Sequence, residues 1–125
     1  MADADRWERG LEMMKKVYAG DVVAPPRGRM AFTDLMLEQL FAEVWTREDV
    51  LPIRDRRLLL LGAIAALGES ATFGIQAKAA LKNGELSAEQ LREVLVQMAP
   101  YVGYPRVAGL VAVVEQQIAA VEGSS

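Results

Sequence analysis

Neither cysteine nor histidine occurs anywhere in the 125 residues. Without cysteine there is no disulfide, no thiol redox chemistry and no thiolate nucleophile. Without histidine, no side chain has an ordinary pKa near neutrality. A zinc site would need an all-carboxylate shell, so neither metal nor cofactor is expected. No Lys/Arg cluster is interleaved with aromatics, and a net charge of −3 gives no reason to expect nucleic acid. Long apolar runs are missing too. Leu58 to Leu67 is ten residues, against the roughly 20 that a membrane span needs. The acidic start, Met1-Ala2-Asp3-Ala4-Asp5, leads into no apolar run, so no signal peptide is expected. These absences predict a soluble, cytoplasmic protein with no membrane or nucleic-acid partner.

What is present is apolar material with helical spacing. Hydrophobic residues make up 52% of the chain and no segment is of low complexity, which predicts one globular domain over residues 1–125. The organising stretch runs from Arg54 to Gly84. Arg54-Asp55-Arg56-Arg57 precedes the uncharged run Leu58–Leu67, and Gly68-Glu69-Ser70 separates it from the Ala-rich segment Ala71–Asn83. We read two helices joined by a tight turn, with Gly68 as a left-handed cap and Ser70 as the next helix's N-cap. The first of the two is apolar all round and is expected to be surrounded by protein.

The flanking segments are amphipathic. Asp3 or Asp5 is expected to cap a helix carrying Trp7, Leu11, Met14 and Tyr18, which Gly20 ends. Val22–Arg29 reads as the one proline-rich loop. A second helix from about Met30 to Trp45 has the expected apolar face Phe32, Leu35, Met36, Leu40, Phe41 and Val44. Pro52 suits the first turn of the central helix. Ser87 with Gln90 predicts a capping box, followed by a buried stripe of Leu91, Val94, Leu95 and Met98. Pro100 should end or kink that helix, with Tyr101–Tyr104 as a turn. Pro105 begins the last helix, whose expected buried face is Val107, Leu110, Val111, Val114 and Ile118. No alternating strand pattern survives, so the fold class is all-α with about six helices.

Several motifs then fall into a known order. They are Arg6-Trp7-Glu8-Arg9-Gly10-Leu11, Glu43-Val44-Trp45-Thr46-Arg47 and Arg54-Asp55-Arg56, then Ala77-Lys78-Ala79-Ala80-Leu81-Lys82-Asn83-Gly84, Glu93–Gln97 and Tyr101-Val102-Gly103-Tyr104-Pro105. In order and spacing the chain resembles the carboxymuconolactone decarboxylase family, relatives of the alkylhydroperoxidase D-type proteins. The resemblance implies a helical fold built round a central helix-turn-helix pair and assembly into trimers or hexamers. It implies either a lyase that removes carbon dioxide from a carboxylated muconolactone or, in the thiol branch, a Cys-x-x-Cys peroxidase helped by His and Glu. The two cysteine positions fall on Glu69 and Thr72, the His position on Gln76, and the thiol branch's Glu position on Arg57. Thiol peroxidase chemistry is therefore excluded, and a lyase would lack its proton carrier.

Seven residues are candidates for a site. Glu43, matching the lyase branch's Glu-x-Trp with Trp45, would be an acid kept protonated against an indole; otherwise it is a helix-end partner of Arg47, and Trp45 is core. Arg54 and Arg56 would clamp a carboxylate, or pair with Asp49 or Asp55. Gln76 would orient a ligand, or bond across a helix interface. Tyr101 and Tyr104 would donate to a ligand oxygen, or pack their rings and wet their hydroxyls. Two functions follow: a lyase or isomerase on a small carboxylated or lactone substrate, with Glu43 and Gln76 catalytic, or a non-catalytic oligomer that binds a small molecule or a partner protein.

Overall fold

The computed structural model describes residues 2–123, with side chains from residue 5. The described residues form helices and no strands. In chain order these are α1 (Ala2–Val17), α2 (Ala31–Leu35), which runs on as a π-helical segment (Met36–Trp45), α3 (Ile53–Leu67), α4 (Ser70–Lys82), α5 (Ala88–Val102) and α6 (Tyr104–Gly123). The all-α class is as expected. Among the described residues no helix is long and apolar enough to cross a membrane. The chain groups into two compact units, one up to Ile53 and one from Arg54.

In the first unit, α1 packs against the π-helical segment. The contact is backbone to backbone: a Cβ on Gly10 would lie 1.9 Å from the Leu37 carbonyl oxygen. Met13, Met14 and Val17 of α1 meet Leu37, Phe41, Ala42 and Trp45, and all seven are buried. Phe41 stacks on Trp45 at 6.4 Å and tilts against Tyr18 at 5.6 Å. Two expectations change here. Asp5 lies inside α1, as does the backbone of Asp3, so neither precedes the helix as a cap. Of the face expected for the second helix, Phe32, Leu35, Leu40 and Val44 are exposed, whereas Leu37 and Ala42 are buried. Phe32 and Leu35 lie in the α-helical α2, none of whose residues is buried. For Leu40 and Val44 the expected face assumed 3.6 residues per turn, whereas i→i+5 winding turns less per residue and carries a different set of side chains inward.

The proline-rich loop is tied back by Asp34. Its Oδ1 accepts from Trp7 Nε1 at 2.9 Å and its Oδ2 from the Gly28 amide at 3.0 Å. Gly28 has φ +86°, a conformation that glycine adopts without strain.

In the second unit, α6 packs on both α4 and α5. Leu61, Phe73, Leu91 and Leu110 are wholly buried at its centre. Gly68 is left-handed (φ +69°) and closes α3 as expected. The next cap is not Ser70, which is already helical, but Glu69. The capping box forms: Gln90 N donates to Ser87 Oγ, and Ser87 N to Gln90 Oε1. Pro100 does not stop α5, which continues to Val102 and breaks at Gly103 (φ +108°), so Tyr101 and Val102 are helical rather than part of a turn. Pro100 sits in the last turn, where little helix remains to be disturbed. Val111 is half exposed while Val107, Leu110, Val114 and Ile118 are buried.

Beyond its charged start, residues 54–57, α3 is apolar, yet it is not fully enclosed by its own chain. Leu61, Ile64 and Ala65 face the core, but Leu59 is 67% and Leu67 73% exposed.

Candidate functional site

Four positions of the second unit converge on a polar network. Arg57 lies on α3 four residues before Leu61, and so shares the face that carries Leu61, Ile64 and Ala65 into the core. It is completely buried. A guanidinium keeps its charge in a protein, so its burial requires an anion and filled hydrogen bonds. Glu85, in the turn after α4, supplies the anion in a two-point fork, Nε to Oε1 at 2.8 Å and Nη2 to Oε2 at 3.2 Å. Gln76, on α4 and 3% exposed, accepts a short hydrogen bond from Arg57 Nη1 through its Oε1. Asn83 Nδ2 adds a donor to Glu85 Oε2 at 3.1 Å. Neither Arg57 nor Glu85 stood among the expected site residues. An arginine on an apolar stripe was the signal, because it demands a buried acid.

Glu69 and Thr72 form a second, exposed group at the start of α4. The Glu69 carboxylate accepts from Ala71 N at 3.3 Å and Thr72 N at 2.9 Å, and from the Thr72 hydroxyl in a short bond. The Thr72 hydroxyl, then the Thr72 amide, holds the Glu69 carboxyl below its ordinary value. A carboxylate here also meets the positive end of the α4 dipole.

The remaining candidates divide between the two units. In the first, Glu43 is half exposed (50%), and its Oε1 lies 3.1 Å from Arg6 Nε in an ion contact without an aligned hydrogen bond. It is therefore not the desolvated carboxyl expected, and the ion pair runs to Arg6 rather than Arg47. Trp45 is buried core. In the second unit, Arg54 is exposed, donates from Nε to the Glu85 carbonyl at 3.0 Å, and has Nη1 at 3.6 Å from Asp55. Arg56 is half-buried on α3, and Tyr101 and Tyr104 are both exposed. Arg54 also borders a cleft of about 360 Å³ between α3 and α5, walled by Leu58, Gly62, Leu86, Val94 and Met98. Gln76 does not line it.

A family model described as "Carboxymuconolactone decarboxylase family" matches residues 31–116, more than half of the chain. The chain belongs to that family. No curated protein and no solved structure matches the chain. By the positions that the resemblance assigns, the carboxymuconolactone decarboxylase family's His position (Gln76) and the thiol branch's Glu position (Arg57) touch each other here. The two cysteine positions (Glu69 and Thr72) touch as well. At the positions that the resemblance gives to His, Glu and the two cysteines, this chain carries pairs that bond to one another.

Proposed function

We propose that this protein is a non-catalytic member of the carboxymuconolactone decarboxylase family, an oligomeric small-molecule-binding protein of the cytoplasm. The observation that carries the reading is the buried Arg57–Gln76 bond. An amide neither gives nor takes a proton at ordinary pH, and its oxygen is already spent on a guanidinium that Glu85 neutralises. The lyase alternative needs an acid able to deliver a proton to carbon. Its candidate, Glu43, is half exposed and in ion contact with Arg6, not the carboxyl buried against an indole that this chemistry calls for.

Self-assembly into trimers or hexamers fits the exposed leucines Leu59 and Leu67 of α3. The test of function is carbon dioxide release from a carboxylated muconolactone by the purified wild-type protein. The reading predicts none above the uncatalysed rate. Turnover that scales with enzyme and is lost in Glu43→Gln would restore the lyase. Hydroperoxide consumption in a thiol-coupled assay should likewise be absent, since the chain has no cysteine.

A further inference from the structure

The cleft between α3 and α5 has the build of a ligand site, and no residue of the Arg57 network except through Arg54's tie to Glu85 takes part in it. Arg54, Leu58 and Gly62 line it at i, i+4 and i+8, one stripe of α3; Gln90, Glu93, Val94 and Gln97 line it from one face of α5. The two ends differ. At one, Arg54 is fastened by its Nε to the Glu85 carbonyl at 3.0 Å, next to Leu86. At the other, Gly62 faces Met98, whose Sδ and Cε would lie 3.6 Å from a Cβ at position 62. The cleft is thus charged at one end and apolar at the other. Its volume of about 360 Å³ is at the small end of the roughly 300–1,000 Å³ typical of ligand pockets.

Gly62 gives a second, independent reason. A glycine inside a helix costs about 1 kcal/mol relative to alanine, and Gly62 is surrounded in sequence by leucine and alanine. Its φ is ordinary for a helix and an alanine Cβ would meet only van der Waals contacts. Neither backbone conformation nor close packing demands glycine there. What the missing side chain does is leave the apolar end of the cleft open.

We propose that this cleft binds a monocarboxylic acid with an apolar body, carboxylate on Arg54 and hydrocarbon along Leu58, Val94, Gly62 and Met98. The guanidinium's contact with Asp55 is exposed and 3.6 Å long, so a ligand carboxylate competes with a weak partner. Among the described residues Arg54 is the one cation lining the cleft, and Glu93 lies on the facing α5 wall. A second carboxylate therefore meets an acid and apolar side chains with no cation to hold it, which selects monocarboxylates over dicarboxylates. The site stands whether or not the Arg57 network is catalytically silent.

The experiment is isothermal titration calorimetry of the full chain with octanoate, octan-1-ol and octanedioate, on wild type, Arg54→Gln and Gly62→Leu. Sedimentation of each variant runs alongside, with circular dichroism confirming the helical fold. Octanoate should bind wild type, and both octan-1-ol and octanedioate should bind at least tenfold more weakly, about the worth of one charge-assisted bond. Arg54→Gln should weaken octanoate by about tenfold or more, and Gly62→Leu should abolish its binding while the oligomer is unchanged. Octanoate that fails to bind at millimolar concentration, or binds all three proteins alike, overturns the proposal. So does a change of oligomeric state in Gly62→Leu, which would make the cleft an interface between copies. Lactone decarboxylation by wild type would defeat the non-catalytic reading and leave this site untouched.

Discussion

Arg57 is the residue on which the second unit's polar interior depends. Replacing one member of a buried, hydrogen-bonded ion pair strands the other, at a cost of about 3–5 kcal/mol. Arg57→Met should therefore lower the unfolding free energy by about that amount, and Arg57→Met combined with Glu85→Leu should recover part of it. A denaturant-melt double-mutant cycle measures this, and additive losses would show that the two are not coupled. Glu69 makes a pH prediction. Its folded-state pKa lies below the ordinary 4.5, so the unfolded chain takes up the proton first on acidification. The stabilisation is present above about pH 4.5 and is lost as pH falls through the lower folded value. Glu115 has the same sign, held low by its hydrogen bond from Arg92. Melting temperature followed from pH 6 to pH 3, a window about the carboxylate range, should fall less steeply in Glu69→Gln than in wild type. At this scale the absence of His and Cys is legible in the sequence, and the resemblance assigns Gln76, Glu69 and Thr72 to the positions of the family's His and cysteines. It did not show that Gln76 bonds to Arg57, which depends on where Arg57 and Glu85 meet in space, nor that Glu69 rather than Ser70 caps α4 and takes the Thr72 hydroxyl.

The helices themselves were largely readable, and their faces less so. The Gly68 cap and the Ser87–Gln90 box are short-range devices, set by a few adjacent residues, and both form as expected. The segment Met36–Trp45 is different. Its extent could be read from apolar spacing but its winding could not, and it packs on α1 where Gly10 admits the Leu37 carbonyl. Gly10→Ala would put a methyl 1.9 Å from that oxygen. Overpacking of this kind typically costs about 1–3 kcal/mol, more than the helix propensity gained from alanine. The variant should melt below wild type, and an unchanged or higher melting temperature would show that α1 and the π-helical segment separate without cost. Pro100 is expected to end or kink α5; it does not end it, and from the last turn the chain runs on to Gly103.

For the whole molecule, the chain exposes large apolar side chains on several helices, Phe32, Leu59, Leu67 and Val111 among them. Burial between copies is the remedy that fits, and light scattering at micromolar concentration should return a trimer or hexamer rather than a 13.7 kDa monomer. Leu59→Glu should dissociate that assembly if the exposed face of α3 is covered by it. The all-α class followed from periodicity, whereas the exposed apolar surfaces could not be read from it, since a sequence does not say which apolar face meets its own chain. On the function proposed above, Gln76, at the position that the resemblance gives to the family's His, is a structural residue. Carbon dioxide release from a carboxylated muconolactone by Gln76→His tests it most directly. A histidine there would stand against Arg57, whose charge disfavours the protonated ring, so no turnover is expected in Gln76→His, as in wild type. Turnover by Gln76→His that Glu43→Gln then removes would contradict it.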